Sequence, residues 1–566
     1  MRRIKIVLLA SAATLALASA AQAQSNQVWL DQSGLNQSFD ATQSQTGNRV
    51  GSSASRFTQS GGNNRFTSNQ SGSTNQIGGG ATVGLPGATL QGRQTGQRNS
   101  ATVNQQGTGG RVSLDQQGDD GNNGTFANGT ITQGGARSLA TVNQTGTFGF
   151  FSVDQLNSGQ TTINQSGSWN RATVSQGGTN TPLIANGNTV SLRQDGTGGS
   201  QTQANDIAVR QNRTVGGANI AGGANSIDFR QSGQANVAGL VQEGSGNVIG
   251  LRTSAPNTQS QWGVGHRADV AQAGTFNTLR MFQGGAGTSG NDIIANQSGT
   301  GGLFQVNQID VQQNGSGQSA TFGQAGFLNV ATVSQASSAT GASVISSQTG
   351  SVNSVTATQS AAGHGATFTQ NGTVNTAVVT QASTNVSTAA FTQSGSTNTA
   401  RLSQQGSGAH NATVSQAGTN NFVGQAVLSG TPVSPAASLT APALQNGTIG
   451  STATISQVGN ATLFNPNRIY FTQTGIGGHT LSVDQGVTGN GATNGLVVAY
   501  QTGQGQSADI DQRGTNQRVF ALQDGGAGGL GNTLIVAQGL SNAAAGGNLS
   551  NSVQSGTSNT LNVRQN

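Results

Sequence analysis

The stretch Gln370-Asn371-Gly372-Thr373-Val374-Asn375-Thr376-Ala377-Val378-Val379-Thr380-Gln381 decides how this chain folds. It is one copy of the frame Q-x-G-x-x-N-x5-Q, which recurs in full from Gln59, Gln94, Gln165, Gln231, Gln272, Gln324, Gln348, Gln370, Gln393 and Gln554. Near copies fill the gaps. Frames from Gln32, Gln313 and Gln501 carry Gln37, Gln318 and Gln506 where Asn would stand, and those from Gln105 and Gln144 carry Gly110 and Gly149 there. Self-similarity at a short fixed period marks a repeat architecture, in which each unit buries its apolar face only against its neighbours.

The spacing has a phase. Gln348, Gln359, Gln370, Gln381, Gln393, Gln404 and Gln416 follow at intervals of 11, 11, 11, 12, 11 and 12 residues. One unit is therefore a short strand and a tight turn, and two units, roughly 22–23 residues, make a rung with a strand on each side. Within a unit the alternation has period two. In Asn99-Ser100-Ala101-Thr102-Val103-Asn104-Gln105, Asn99, Ala101, Val103 and Gln105 share the inward face, leaving Ser100, Thr102 and Asn104 outside. Asp115, Asp154, Asp484, Asp511, Arg193, Arg210, Arg230 and Arg564 each precede a frame Gln, which assigns them to the solvated face. The Gly two residues after Gln suits a turn with positive φ.

Stacked in parallel register, such rungs place Gln over Gln and Asn over Asn at ~4.8 Å, so that inward amides satisfy one another. The expected fold is all-β, a repetitive parallel β-solenoid of two sheets with Asn/Gln ladders. The ladder residues are Gln94, Asn99, Gln105, Gln165, Asn170, Gln176, Gln231, Asn236, Gln242, Gln324, Asn329, Gln335, Gln370, Asn375, Gln381, Gln393, Asn398 and Gln404.

Composition agrees. The 566 residues include 64 Gln, 54 Asn and 88 Gly, with 7% charged and 4% aromatic residues, against about 25% charged in an average globular protein. Large apolar side chains are too few for several three-dimensional cores. Pro, at 7, and charge are also too scarce for ordinary disorder. The net charge of +6 owes much to Arg2, Arg3 and Lys5; no Lys follows Lys5 and no basic cluster tracks phosphates, which argues against a nucleic-acid partner. The chain has no Cys.

Residues 1–23 read as a secretion signal: Arg2, Arg3 and Lys5 form a positive n-region, Ile6–Ala18 an apolar run too short to span a membrane, and Ala21-Gln22-Ala23 a small-residue cleavage site. Repeats are expected over 24–423, with irregularities at 78–90, 179–187 and 251–263, and again over 448–566. Between them, 424–447 carries Pro432, Pro435 and Pro442 and breaks the frame, because Pro donates nothing to a ladder.

The fuller frame Q-x-G-x-x-N-x-A-x3-Q resembles the curlin repeat. It is matched to the letter in Gln94–Gln105, Gln165–Gln176, Gln231–Gln242, Gln324–Gln335, Gln370–Gln381 and Gln393–Gln404. The resemblance implies passage through the periplasm and a dedicated outer-membrane secretion pore, and extracellular amyloid fibres nucleated at the cell surface. It also implies self or other curlin-type subunits as partners, and roles in adhesion and biofilm matrix. Typical curli subunits are much shorter, so the length here points to a pre-linked array of repeats.

Signals for other chemistry are weak. His266, His364, His410 and His479 each stand six residues before a frame Gln, at the Asn position, and read as ladder substitutions rather than metal ligands or bases. Asp119-Asp120 reads as a solvated turn. Gly525–Gly531 lacks a strand–helix context or a Lys for phosphate. No catalytic residue, metal or cofactor is expected. The leading expectation is a secreted structural protein that forms or decorates extracellular fibres. Its rivals are a monomeric β-solenoid adhesin stalk presenting binding loops and, less favoured, a β-helical enzyme.

Overall fold

A computed structural model describes Thr14–Leu15 and residues 26–565, apart from 82–88, 91, 107–108, 119–127, 134–137, 148, 156–158, 179–187, 198–203, 214–224, 252–259, 301–305, 430–433, 439–440, 461–465, 487–493, 526–530 and 540–546. The expected signal segment, Asp119-Asp120, the irregularity at 179–187 and most of those at 78–90 and 251–263 lie outside the described residues. The chain is an all-β parallel solenoid, with no helix among the described residues. It divides into two compact units, Met1–Gly290 and Asn291–Asn566.

In the second unit successive repeats alternate between two sheets. Ser319–Phe327, Ser343–Ser351, Gly365–Thr373, Thr388–Ser396 and Asn411–Thr419 pair in parallel in one sheet. Val330–Gln335, Ser354–Gln359, Thr376–Gln381 and Thr399–Gly406 do so in the other. Register follows the frame: Gln348 lies beside Gln370, Gln370 beside Gln393, and Gln359 beside Gln381. The first unit repeats the pattern, with Asn170–Gly178, Asn205–Arg213, Val237–Ser245 and Arg267–Thr275 in one sheet, and Leu139–Thr147, Gln160–Ser168, Thr189–Thr197 and Ser226–Gln234 in the other.

Period-two burial follows from the pleat. Thr376–Gln381 alternates half-buried with buried residues, and Asn375, Ala377, Val379 and Gln381 are fully enclosed. The apolar core of each unit is a ribbon between its sheets. Phe368 and Phe391 stack one rung apart at 5.2 Å and 5° in the second unit, and Phe39, Phe57 and Phe66 cluster in the first. Charges keep the outward parity, with one amendment: Asp115 is nearly covered, clasped by Arg93 through bonds of 2.9 and 2.7 Å.

The Pro-containing interruption is an insertion, and the ladder resumes within it. Phe422 and Val423 pair with Thr399 and Ala400, while Ala443–Gly447 pairs with Leu402–Gly406, so the two pieces together make one strand of the stack. From between them projects an antiparallel hairpin, in which Gln425–Ser429 lies against Ser434–Ser438 and Pro435 faces Leu428. Antiparallel pairing at a ribbon tolerates Pro where a central ladder would not. The hairpin brings Ala426 onto Tyr470 and Val498, with Phe422, Leu496, Tyr500 and Phe520 packed around them, and so covers an apolar outer face. At the irregularity over 251–263 the stack likewise continues through two pieces. Ile249 pairs with Ile227 and Gln261 with Gln231, so Val248–Leu251 and Gln261–Val264 share one rung on either side of the inserted segment.

The turns hold two residues at positive φ. Gly326, Gly350, Gly372 and Gly395 form one file, and a Cβ on any of them would fall within about 2 Å of the next glycine's carbonyl oxygen. Two residues on, Leu328, Val352, Val374 and Thr397 lie at φ of 56–59°, a region costly for L-residues and most of all for β-branched ones. Two substitutions two residues apart should therefore act with opposite sign. Gly372→Ala should destabilise by at least ~2 kcal/mol, because the Cβ meets rigid backbone. Val374→Asn, at a site 44% exposed, should stabilise by about 1 kcal/mol, because Asn accepts the left-handed region. Denaturant midpoints of the two variants check this.

Candidate functional site: the amide columns

The inward Gln at the end of each repeat strand meets another Gln one rung away. In the second unit Gln324 Nε2 donates to Gln348 Oε1 at 2.7 Å, Gln348 to Gln370 at 2.9 Å, Gln370 to Gln393 at 2.7 Å and Gln393 to Gln416 at 2.7 Å. In the opposite sheet Gln335 donates to Gln359, Gln359 to Gln381, Gln381 to Gln404 and Gln404 to Gln445, at 2.8–2.9 Å. The first unit holds the same two files. Gln94 donates to Gln116, Gln165 to Gln194 and Gln231 to Gln261 in one; Gln105 donates to Gln133, Gln176 to Gln211 and Gln242 to Gln272 in the other.

The second amide proton crosses the core. Gln370 Nε2 also donates to the Ser354 carbonyl at 3.0 Å, and Gln381 Nε2 to that of Gly365 at 3.0 Å, each at the start of a strand in the facing sheet. The ladder thus ties each sheet lengthwise and ties the two sheets together. It is unidirectional: each of these amides donates toward the later rung.

Asn at the end of the turn has a different task. Its Oδ1 accepts the backbone N–H of the corresponding residue one rung on, as Asn353 does from Asn375 and Asn375 from Asn398, both at 3.2 Å. Its Nδ2 closes its own turn and reaches the next: Asn329 donates to the Ala325 and Gly350 carbonyls at 3.0 and 3.1 Å, and Asn398 to those of Ser394 and Gly418 at 2.9 and 3.1 Å. In the first unit Asn99, Asn170 and Asn236 close their turns by donating to the Thr95, Ser166 and Ser232 carbonyls, Asn236 also reaches that of Gly263, and the Asn99 and Asn236 backbone N–H groups donate to Asn64 Oδ1 and Asn205 Oδ1. All eighteen ladder residues singled out in the sequence are buried, at 4% exposure or less. Where Gly149 replaces Asn, a small gap remains between Asn99, Gln144, Gln165 and Asn170.

One column departs from Asn. At the Asn position of alternate turns the second unit carries His364, Ser387, His410, Ser451, His479 and Gln506, all fully buried. Ser387 N–H donates to His364 Nδ1 at 3.1 Å, Ser451 N–H to His410 Nδ1 at 3.2 Å and Gln506 N–H to His479 Nδ1 at 3.2 Å. Burial pushes all four histidines below the ordinary imidazole range, opposed in part by nearby backbone groups. The serines were not among the sequence candidates, although each stands six residues before a ladder Gln, Gln393 and Gln457.

Outward groups are sparse. Asp484 and Asp511 lie side by side in register, and burial first, then the Asp511 charge, raises Asp484 above the usual carboxylate range. Arg171 sits 5.5 Å from the centre of the Phe150 ring. Among the described residues no three His, Asp or Glu side chains converge on a metal-sized site, and no helix is long and apolar enough to cross a membrane. Fold and columns together define a β-solenoid repeat protein. Neither a search of protein-family models nor one of curated proteins gives a match.

The columns yield a direct test. Gln393→Leu leaves the Gln370 donor and the Gln416 acceptor buried without their partner, each worth about 1–3 kcal/mol. The outward neighbour Thr392→Ala should stay within about 0.5 kcal/mol of the parent. Hydrogen exchange across Gly365–Thr419 should show lost protection for the first variant alone.

Proposed function

We propose that this chain is a secreted structural protein that forms or decorates extracellular curli-like amyloid fibres, acting in cell adhesion and biofilm matrix. The observation that carries the reading is the self-complementarity of the rung. Each presents Gln donors on one side and Gln acceptors on the other, in parallel register with near-identical neighbours. This is the chemistry by which cross-β stacks template further copies. The resemblance of the frame to the curlin repeat points the same way, and the signal-like residues 1–23 support export. Partners on this reading are other copies or related subunits, with a surface nucleator and an outer-membrane pore implied by the resemblance.

Templating distinguishes a fibre subunit from a monomeric stalk. Purified protein should polymerise with a lag that sonicated fibres abolish, followed by thioflavin fluorescence and electron microscopy, and the fibres should diffract at ~4.7–4.8 Å along their axis. Replacing Gln370, Gln381 and Gln393 together by Leu should slow seeded elongation several-fold despite the added hydrophobicity, because register is lost. Protein that stays monomeric and ignores its own seeds would overturn the fibre reading in favour of the adhesin stalk.

A further inference from the structure

The His/Ser column of the second unit uses its rings as hydrogen-bond acceptors, a role that a proton abolishes. His364, His410 and His479 each accept a backbone N–H at Nδ1, at 3.1, 3.2 and 3.2 Å, where elsewhere an Asn Oδ1 does so. On the far side of the ring, His410 Nε2 meets the Gln405 carbonyl at 2.7 Å and His479 Nε2 the Thr474 carbonyl at 2.8 Å. A carbonyl accepts only, so the proton is on Nε2 and the lone pair on Nδ1. Protonating Nδ1 would set an N–H against an N–H inside a closed column. An Asn in the same place has no such state.

We propose that this column makes the 364–506 run of the second unit acid-labile, its rungs separating at the histidine turns as pH falls below neutrality. Among the described residues no carboxylate pairs with these rings, and backbone carbonyls such as those of Gln405 and Thr474 offset a positive charge only in part. Their column neighbours are Ser387, Ser451 and Gln506, with Ser387 Oγ and Ser451 Oγ accepting from the His410 and His479 backbones. From the facing ladder come neutral amides: Gln359, Gln381 and Gln445 donate to the carbonyls of His364, Ser387 and Ser451. Arg401, Asp484, Asp509 and Asp511 on the flanking strands occupy outward parity. None of the three rings makes an ion pair among the described residues. The charge that reaches His479 is that of His410, which opposes its protonation.

The sign follows from linkage. An unfolded histidine takes up its proton near pH 6.5, whereas the buried rings are held lower. Below about pH 6.5 the open state therefore binds more protons, and stability is lost as pH falls toward the depressed folded values. Each ring shifts the opening equilibrium by up to about tenfold per pH unit, so three acting together reach about a thousandfold. The first unit, with His266 alone in its columns, should respond far less. The inference stands on the column itself and holds whether or not the chain polymerises.

Hydrogen exchange on the full chain, corrected for the intrinsic pH dependence, tests it. Protection of the Ser387, Ser451 and Gln506 amides should fall by about tenfold or more between pH 6.5 and 5.0. The variant carrying His364→Asn, His410→Asn and His479→Asn should hold its protection over the same range. Unchanged protection in the parent, or an equal loss in the variant, would overturn the proposal and, in the second case, assign the acid response to groups outside the column. If the variant does not fold, nitrogen-15 spectra of the parent's histidines decide. Neutral Nε2–H rings while the rungs stay protected at pH 5.5–6.5 support the proposal, and doubly protonated rings in protected rungs contradict it.

Discussion

A buried primary amide needs partners for two donors and an acceptor, and the rest of this structure follows from how that need is met. Each Gln side chain gives one proton to the next Gln and the other to a carbonyl of the facing sheet, as Gln370 does with Gln393 and Ser354. The alternative is to leave polar atoms dry, which costs about as much as several buried methylenes contribute. Gln is therefore fixed in register: a slip of one residue along the strand moves the amide from a satisfied column to the solvent face and replaces it by an outward Thr or Ser. Bonds in series also polarise one another, so the file strengthens with length.

Given such columns, the demands on everything else are light. The core tolerates Ala, Val, Leu, Ile and Phe at the same positions, since register is set elsewhere; Ala377, Val379, Phe368 and Phe391 illustrate the range. Insertions are tolerated in mid-strand provided that the Gln re-enters on time. Gln445 does so after the hairpin, between Gln404 and Gln473, and Gln261 does so between Gln231 and Gln283. The hairpin uses this freedom to cover Tyr470 and Val498, an outer apolar face that the rungs alone would leave to water. Asn positions are freer still, because the task there is to accept one backbone N–H. Gln, His and Ser all perform it, with different responses to pH.

Much of this was legible in the sequence, and what was hidden has physical reasons. The Q-x-G-x-x-N-x5-Q frame carries fold class, rung length, parity and the identity of the ladder because side-chain period, turn length and amide chemistry all repeat together. The positive φ of Gly372 was legible from its residue type. That of Val374 was not, because a β-branched residue argues against the conformation that stacking enforces. In sequence the hairpin is a break: Pro432 and Pro435 forbid a central ladder strand, and nothing local says that Phe422-Val423 and Ala443-Leu444 belong to one rung. Parity gives Asp115 its outward direction; its covering by Arg93 comes from the neighbouring rung, 22 residues away in the chain. His410 was legible as a ladder substitution, but its acceptor role emerges only from the Ser451 amide across the hairpin insertion.

The central claim is that the Gln amides form continuous, one-directional files of hydrogen bonds. Glutamine-labelled protein observed by nuclear magnetic resonance tests it most directly, through couplings transmitted across the hydrogen bond from one side-chain nitrogen to the next side-chain carbonyl carbon. The account predicts a coupling from Gln370 Nε2 to Gln393 Cδ, the matching link from Gln381 to Gln404, no coupling in the reverse sense, and side-chain amide protons that exchange slowly. Side-chain amides that exchange with water as fast as those of an exposed Gln, with no coupling between rungs, would contradict it.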